Sequence, residues 1–425
     1  MDYFAYKSGV LHCEDVDLTA LAAACGTPLY VYSAATLRRH YLAMAEAFAP
    51  LNPTICFAIK SLANLSILRL LAGLGAGFDV VSGGEIFRAQ KAGADMSKVA
   101  YAGVGKTDAE ILQALAAGVG WFNVESEQEF ENLTRLARQV GKTASAALRI
   151  NPDVDPHTHH HTTTGKKGTK FGVDLDRAEE FFARYGRDAN VRLTGIHVHL
   201  GSAGHTAEPY GEALTKCLAF IDRLAKKGLT IEAINFGGGY GADYEEGESP
   251  TAQEYARQIV PLLAGRGLKV LLEPGRQIGC NAGILLTSVQ YLKTGGEKNF
   301  AIVDATMCDL IRPALYDAWH FIYPVRLGAG QPEPHRRRDF TPPGAITVDV
   351  VGGVCEGSDF LGKDRPLPPL KRGDLLAVFS AGAYGHVMSS QYNARPRAAE
   401  VLVEDSAYRI IRRRETYDDL IRGEE

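Results

Sequence analysis

From Thr54 onward the chain repeats one texture eight times: a short apolar or β-branched run, a polar or glycine-containing turn, then a stretch with helical periodicity. The runs are TICFAIK (from Thr54), GFDVVS (from Gly77), VAYAG (from Val99), GWFNVES (from Gly120), AALRIN (from Ala146), LTGIHVHLG (from Leu193), IEAINFGGG (from Ile231) and KVLLEPGR (from Lys269). Strands that alternate with helices run parallel, because each helix carries the chain back to the same end of the sheet. Eight such units in roughly 220 residues fit a closed (β/α)8 TIM barrel better than an open doubly wound sheet. Helices are expected over 64–74, 83–92, 108–117, 127–140, 210–227 and 252–263. Asn64, Asp108 and Ser126 are the expected N-caps, and Gly93, Gly118, Gly141 and Gly228 the left-handed exits.

After Arg276 strand-like stretches follow one another without helices: ILLTSVQYLKT, NFAIVDA, AITVDVVG, DLLAVFSAG, AEVLVED and AYRIIRRR, separated by GAGQPEPH, TPPG and RPLPPL. That pattern predicts an antiparallel β domain. YFAY, a short helix from Asp17 to Cys25 ended by Gly26, and PLYVY supply N-terminal elements that can complete it. The expected division is therefore an N-terminal segment 1–32 joining the β domain, a barrel over 33–276 and a β domain over 277–425, sandwich- or barrel-like.

Charge and cysteine usage exclude several function classes. With 46 basic residues against 50 acidic ones, net charge -4, the chain has no electrostatic basis for binding a polyanion such as nucleic acid. No run approaches the ~20 apolar residues of a membrane span, and MDYFAYKSGVLHCEDVD has no apolar core of the kind a signal peptide needs. The seven cysteines are scattered singly, so a reduced, cytoplasmic protein is expected. The 45 glycines, about 11% against a ~7% norm, call for turns and close backbone approaches.

Barrel enzymes carry their chemistry at the C-terminal ends of the strands. There stand Lys60 after FAI, Asp79, His199-Leu-Gly-Ser202, the run Gly237 to Gly241, and Glu273-Pro-Gly-Arg276. Lys60 reads either as a strand-end lysine reaching solvent or as an amine for covalent catalysis in an enclosed site. Three consecutive glycines exceed what a turn needs and suit an anion cradle built from backbone N–H groups. Their spacing is not the nicotinamide fingerprint GxGxxG. Glu273 reads either as a partner of Arg276 or as a carboxylate for a heterocyclic nitrogen; His199 either as a satisfied core histidine or as a flat ring against a cofactor. The cluster His157, His159, His160 and His161 lacks cysteine or carboxylate ligands at metal-site spacing, so no metal is expected. The Arg336–Arg338 and Arg412–Arg414 runs read as solvated faces.

The segments FAIKSLAN, FDVVSGGE, TGKKGTKFGV, HVHLGSA, NFGGGYG, EPGR, DATMCDLIRPALYDAWH, CEGSDFL and SAGAYG, in this order, resemble the diaminopimelate decarboxylase family of fold-type III pyridoxal-phosphate enzymes. The likeness covers nearly the whole chain and implies an alanine-racemase-like barrel followed by a β domain. It implies that pyridoxal 5'-phosphate is held covalently by Lys60, with Glu273 at its ring nitrogen and His199 stacked on the ring. Asp79, Ser202, Gly237, Gly238, Gly239, Gly275 and Arg276 would line the cofactor pocket, the phosphate being held by Ser202, the glycines and Tyr384. Arg276, Arg312 and Tyr316 would bind the distal carboxylate of meso-diaminopimelate, with Tyr384 also at the substrate, and Glu356 would meet its distal ammonium. Cys355 and Glu356 would reach into the site of a second copy, making a homodimer with shared active sites. Cys355 and Lys60 are the alternative proton donors. Two departures from the family pattern are Ala203, where glutamine is common, and the Gly279-Cys280 stretch after EPGR.

The implied activity is decarboxylation of meso-diaminopimelate to L-lysine and CO2, the last step of bacterial-type lysine biosynthesis. The rivals are a decarboxylase of ornithine, arginine or carboxynorspermidine on the same architecture, an alanine racemase, and a non-catalytic pyridoxal-phosphate carrier. Arg312 and Tyr316 in LIRPALY count against the first two substrates, which have no second carboxylate to hold. The segment around His157–Lys170 is expected to act as a lid.

Overall fold

A computed structural model describes residues 2–154, 170–202 and 205–425. The chain divides into two compact units, one of residues 40–242 and 249–277, the other of 1–39, 243–248 and 278–425. The lid segment and the histidine cluster expected around residue 157 lie outside the described residues, apart from Lys170, as does Ala203.

The first unit is the barrel. Its strands are β1 Thr54–Ala58, β2 Gly77–Val80, β3 Val99–Tyr101, β4 Trp121–Val124, β5 Ala144–Asn151, β6 Val191–His197, β7 Ala233–Asn235 and β8 Lys269–Leu272. Each pairs in parallel with the next, and β8 returns to β1 through Leu271↔Thr54 and Leu272↔Ile55, which closes the ring. A two-residue strand, Val173–Asp174, adds to β5 outside the ring. Inside, Cys56, Ala100, Trp121, Ala147, Ala233 and Leu271 form one buried cluster. A single indole fills the space that small neighbours leave. On β6 the facing position is Gly195, where a Cβ would stand 2.9 Å from the indole and 2.8 Å from the Ala147 Cβ, so only glycine fits without displacing one of them.

Helices α1 Leu65–Gly73, α2 Gly83–Lys91, α3 Asp108–Ala117, α4 Glu127–Gln139, α5 Leu175–Tyr185, α6 Glu208–Ala225 and α7 Ala252–Leu263 connect the strands. Asn64 and Ser126 cap α1 and α4 as the sequence predicts. Asp108 does not cap α3. Thr107 does, exchanging hydrogen bonds with Glu110 in a capping box, and Asp108 enters the first turn, where it pairs with Arg135 and Asn132 of α4. Likewise TICFAIK is not all strand: β1 stops at Ala58, and Ile59–Ser61 forms a 3-10 turn that carries Lys60.

The second unit is built on a nine-stranded sheet. Its path runs Phe360–Leu367, Ile346–Val351, Lys298–Val303, Gly283–Gly295, Leu29–Ser33, Ala399–Glu404 and Ala407–Arg412, with Leu375–Val378 joining Gly283–Gly295 and Ile322–Pro324. The N-terminal strand Leu29–Ser33 is central, its five residues all buried. The pairing is antiparallel except at two places: Leu29–Ser33 runs parallel to Ala399–Glu404, and Lys298–Val303 parallel to Ile346–Val351. Phe360–Leu367 and Ile322–Pro324 are strands that the sequence pattern does not reveal. The first contains Gly362, Asp364 at φ 52° and Pro366, residues poor in strand propensity, and pairs through two register shifts.

Candidate active site

The barrel unit gathers its polar residues at the ends of the strands. Lys60, on the turn after β1, pairs through its Nζ with Asp79 Oδ2 on the adjacent β2; the lysine is partly exposed and the aspartate fully buried. Burial and the Glu273 carboxylate push Asp79 up while the Lys60 ammonium draws it down, and the net direction is upward. Its other oxygen, Oδ1, is buried without a hydrogen bond. The turn is pinned from across the barrel seam: the Ala58 amide donates to Pro274 O at 3.1 Å, and a Cβ on Gly275 would come within 2.9 Å of both Ala58 Cβ and Ser61 Oγ. Glycine at 275 therefore lets EPGR close against the lysine turn.

Glu273 follows β8 and is 5% exposed. Its Oε1 accepts from Asn123 Nδ2 of β4 at 3.1 Å and from Asn235 Nδ2 of β7 at 2.6 Å, and its Oε2 lies 3.3 Å from His197 Nε2 of β6. Burial alone would raise this carboxyl, but His197, Lys60 and the Asn235 amide hold it well below the usual carboxylate range. Glu273 is thus a buried anion with its charge preserved. Asn123, His197 and Asn235 stand in GWFNVES, HVHLGSA and NFGGGYG, but the sequence assigned none of them a role. The signal was present as an amide in each of two apolar strands, WFNV and AINF, where a polar group must find a partner.

His199 stands two residues beyond β6. Its Nδ1 accepts the Gly238 amide at 3.1 Å, and burial, with the Arg149 and Lys60 cations nearby, keeps it well below the usual histidine range. The ring is neutral, with its proton on Nε2. Gly237, Gly238 and Gly239 each pack a would-be Cβ onto a backbone oxygen, of Val198, Glu273 and Gly201 respectively. The Gly237 amide donates to Asn235 Oδ1 at 3.1 Å. Two of the three glycine amides therefore donate within the protein, and the glycines are required first by the close approach of the loop to the ends of β6 and β8. Ser202 Oγ accepts from Arg276 Nε at 3.2 Å.

Two further charged groups line the same end of the barrel, Arg149 of AALRIN and Glu85 of FDVVSGGE, to which the sequence assigned no role. Arg149 of β5, 5% exposed, pairs with Glu125 at 3.2 Å. Glu85 of α2 accepts the Val81 amide at 2.8 Å and is pushed up to about 7 by burial, the Asp79 carboxylate adding to the effect and Lys60 opposing it.

The remaining expected site residues belong to the second unit. Arg312 and Tyr316 bound the short helix Arg312–Tyr316, with Arg312 buried. Cys355 and Glu356 are exposed on the turn between Ile346–Val351 and Phe360–Leu367. Asp359 ties that turn by accepting the amides of Val354 at 2.6 Å and Met307 at 2.7 Å, while the Cys355 amide donates to Asn393 Oδ1 at 2.8 Å. Tyr384 sits at φ 56°, a left-handed conformation that costs a non-glycine residue ~1–2 kcal/mol and so marks a position where geometry outranks stability.

Comparison with known proteins follows the same lines. The family model described as "Pyridoxal-dependent decarboxylase, pyridoxal binding domain" matches residues 34–279. Diaminopimelate decarboxylase of Pseudomonas aeruginosa is 48% identical over 424 residues, covering 100% of this chain and 99% of that one. Among solved structures, diaminopimelate decarboxylase from Helicobacter pylori complexed with L-lysine is 39% identical with a TM-score of 0.89, over 96% of this chain and 98% of that one. The M. jannaschii diaminopimelate decarboxylase in co-complex with L-lysine is 35% identical with a TM-score of 0.92, over 100% and 98%.

Proposed function

The chain belongs to the pyridoxal-dependent decarboxylase family and, within it, to the diaminopimelate decarboxylases, and on that premise we propose that it converts meso-2,6-diaminopimelate to L-lysine and CO2. The observation that carries the reading is Glu273, a buried carboxylate held ionised by Asn123, Asn235 and His197 at the same barrel end as Lys60.

The residues present fit pyridoxal 5'-phosphate. A buried anion suits a ring N–H, a lysine amine stands at the strand end, and the loop at Gly237–Gly239 has no room for a Cβ. Bound here, the cofactor supplies an electron sink for the pair left when CO2 departs. Lys60 is the residue to hold it covalently, with Asp79 keeping the amine in place when it is released. Glu273 stays ionised through the working pH range and so keeps a proton on the ring nitrogen. The neutral His199 ring, fixed by the Gly238 amide, offers a flat face without adding a competing positive charge. Ser202 accepts from Arg276, which leaves its hydroxyl proton to donate to a phosphate.

For the substrate, Arg312, Arg276 and Tyr316 are proposed to bind the carboxylate that is not removed, and Glu356 the ammonium beside it. Tyr384 would serve phosphate and substrate through its hydroxyl. Either Lys60 or Cys355 would return the proton to the α-carbon. Cys355 and Glu356, both exposed on one turn, are proposed to complete the site of a second copy in a homodimer. All seven cysteines are free and no helix among the described residues is long and apolar enough to cross a membrane, which supports a cytoplasmic location.

The test is CO2 release with product identification, with and without added pyridoxal 5'-phosphate. Diaminopimelate should yield L-lysine; faster release from ornithine or arginine would overturn the substrate assignment. A site that pairs a polar group rejects an analogue lacking it by about 10⁴–10⁵, so the preference should be large. Lys60→Ala should abolish both turnover and the visible absorption of the bound cofactor.

A further inference from the structure

Arg312 is 7% exposed, and no carboxylate among the described residues lies within ion-pair distance of it. A buried cation without a counter-ion is costly unless it is held by hydrogen bonds and meets an anion in use. What holds this one is a second buried residue, His320. The imidazole Nδ1 is 2.9 Å from Phe379 O and its Nε2 is 3.0 Å from Arg312 Nη1. A carbonyl oxygen only accepts, so Nδ1 carries the proton; a guanidinium only donates, so Nε2 presents its lone pair. The two bonds together admit one state of His320, neutral with the proton on Nδ1. A proton on Nε2 would set N–H against N–H, and with Nδ1 protonated as well would also set one cation against another.

A second brace acts at right angles to the first. The Arg312 guanidinium lies 4.6 Å over the Tyr244 ring, and Tyr244 meets the His320 ring edge-on at 5.3 Å and 90°. One edge of the guanidinium is therefore fixed by the imidazole and one face by the phenol ring, while the remaining N–H groups keep their fork geometry for a planar carboxylate. The choice of histidine matters electrically. Aspartate or glutamate in its place would brace the arginine equally well but neutralise it, and the charge available to a ligand would be lost. A neutral acceptor orients the cation and leaves its charge intact.

We infer that His320 is a positioning residue for Arg312, seconded by Tyr244, and that this pair sets the recognition of the substrate's retained carboxylate. The inference rests on the reading of Arg312 given above. The carboxylate retained in decarboxylation is the one L-lysine still carries, so product binding reports on it directly, and 1,5-diaminopentane, which lacks it, is the control.

The experiment measures binding of L-lysine and of 1,5-diaminopentane to the holoenzyme for the wild type, His320→Phe, His320→Gln, Tyr244→Leu and Arg312→Ala, with KM and kcat for diaminopimelate alongside. His320→Phe keeps a ring but no acceptor. It should weaken L-lysine about tenfold or more, leave 1,5-diaminopentane unchanged, and raise KM more than it lowers kcat. His320→Gln, which can place an oxygen near the position of Nε2, should recover most of the loss. Tyr244→Leu should give a smaller loss with the same selectivity, and carries the test if His320→Phe does not fold. Equal weakening of both ligands in His320→Phe, or of neither, would overturn the role of His320 if Arg312→Ala selectively weakens L-lysine. If Arg312→Ala leaves L-lysine binding intact, the assignment of Arg312 itself is wrong and the inference falls with it.

Discussion

The ionised state of Glu273 can be tested through Asn235, which makes the shortest of its hydrogen bonds at 2.6 Å. Asn235→Leu keeps roughly the side-chain volume and removes the donor. A hydrogen bond to a charged group contributes about 1.5–3 kcal/mol, against about 0.5–1.5 for a neutral pair. A barrel of this size shifts its melting midpoint by about 2–4 °C per kcal/mol, so the variant should melt about 3–12 °C lower. The Asn235 side chain also accepts the Gly237 amide at 3.1 Å, and a double-mutant cycle removes that contribution. In the Glu273→Gln background the same substitution loses only a neutral bond, so a coupling of about 1 kcal/mol or more is expected. The pH for the measurement follows from the sign of the shift. Glu273 is depressed below its unfolded value of about 4.3, so its stabilisation is fully present above that pH and is lost only as pH falls through the lower folded value. Calorimetry of the apoprotein near pH 8 therefore reads the full effect. If Asn235→Leu costs the same with Glu273 as with glutamine there, the buried carboxylate is not charged and the account of the ring-nitrogen partner is wrong.

Glu85 gives a pH dependence of opposite sign. Its folded pKa of about 7 lies above its unfolded value, so it lowers stability progressively as pH rises from about 4.5 to 7. Glu85→Gln should be near neutral at pH 4.5 and stabilising by about 2–3 kcal/mol at pH 8; chemical denaturation with the same gain at both values would contradict the assignment. Gly239→Ala meets both a positive φ of 92° and the Gly201 backbone oxygen, so a loss of at least ~2 kcal/mol is expected together with weaker cofactor binding in a fluorescence titration. Finally, Lys60→Ala mixed with Cys355→Ala/Glu356→Ala by co-expression should regain about a quarter of wild-type activity. Half of randomly formed dimers are hybrid, and one of their two sites is intact. Two inactive variants that stay inactive when mixed would rule out sites shared between copies.

The residues whose roles were legible in the sequence are those whose chemistry survives in one dimension. Eight apolar runs separated by capped helices specify a ring of parallel strands, because period and length alone decide which elements can bury a face. Lys60, Glu273 and the glycine run were visible because their position relative to a strand end is a local property. The exceptions were also local: Thr107 took the cap from Asp108 because its hydroxyl and Glu110 satisfy two amides at once. What escaped was each residue's partner. Asn123, His197 and Asn235 come from three different strands, and only closure of the barrel brings their side chains onto one carboxylate.

The same distinction divides the second unit. Leu29–Ser33 was recognisable as a strand, but nothing in the five residues LYVYS says that it lies between strands some 250 and 370 positions later, one antiparallel and one parallel. Phe360–Leu367, with its glycine, aspartate and proline, is a strand only because Ile346–Val351 offers it an edge. His320 ends the segment DATMCDLIRPALYDAWH, but nothing there assigns it a role, and its tautomer is set by Phe379, 59 residues on. Which elements exist and which residues have reactive chemistry could be read along the chain, since periodicity and side-chain type are one-dimensional properties. Tertiary structure alone decided which of those groups are charged, which are neutral and where each one points, because charge state depends on burial and on partners that are distant in sequence.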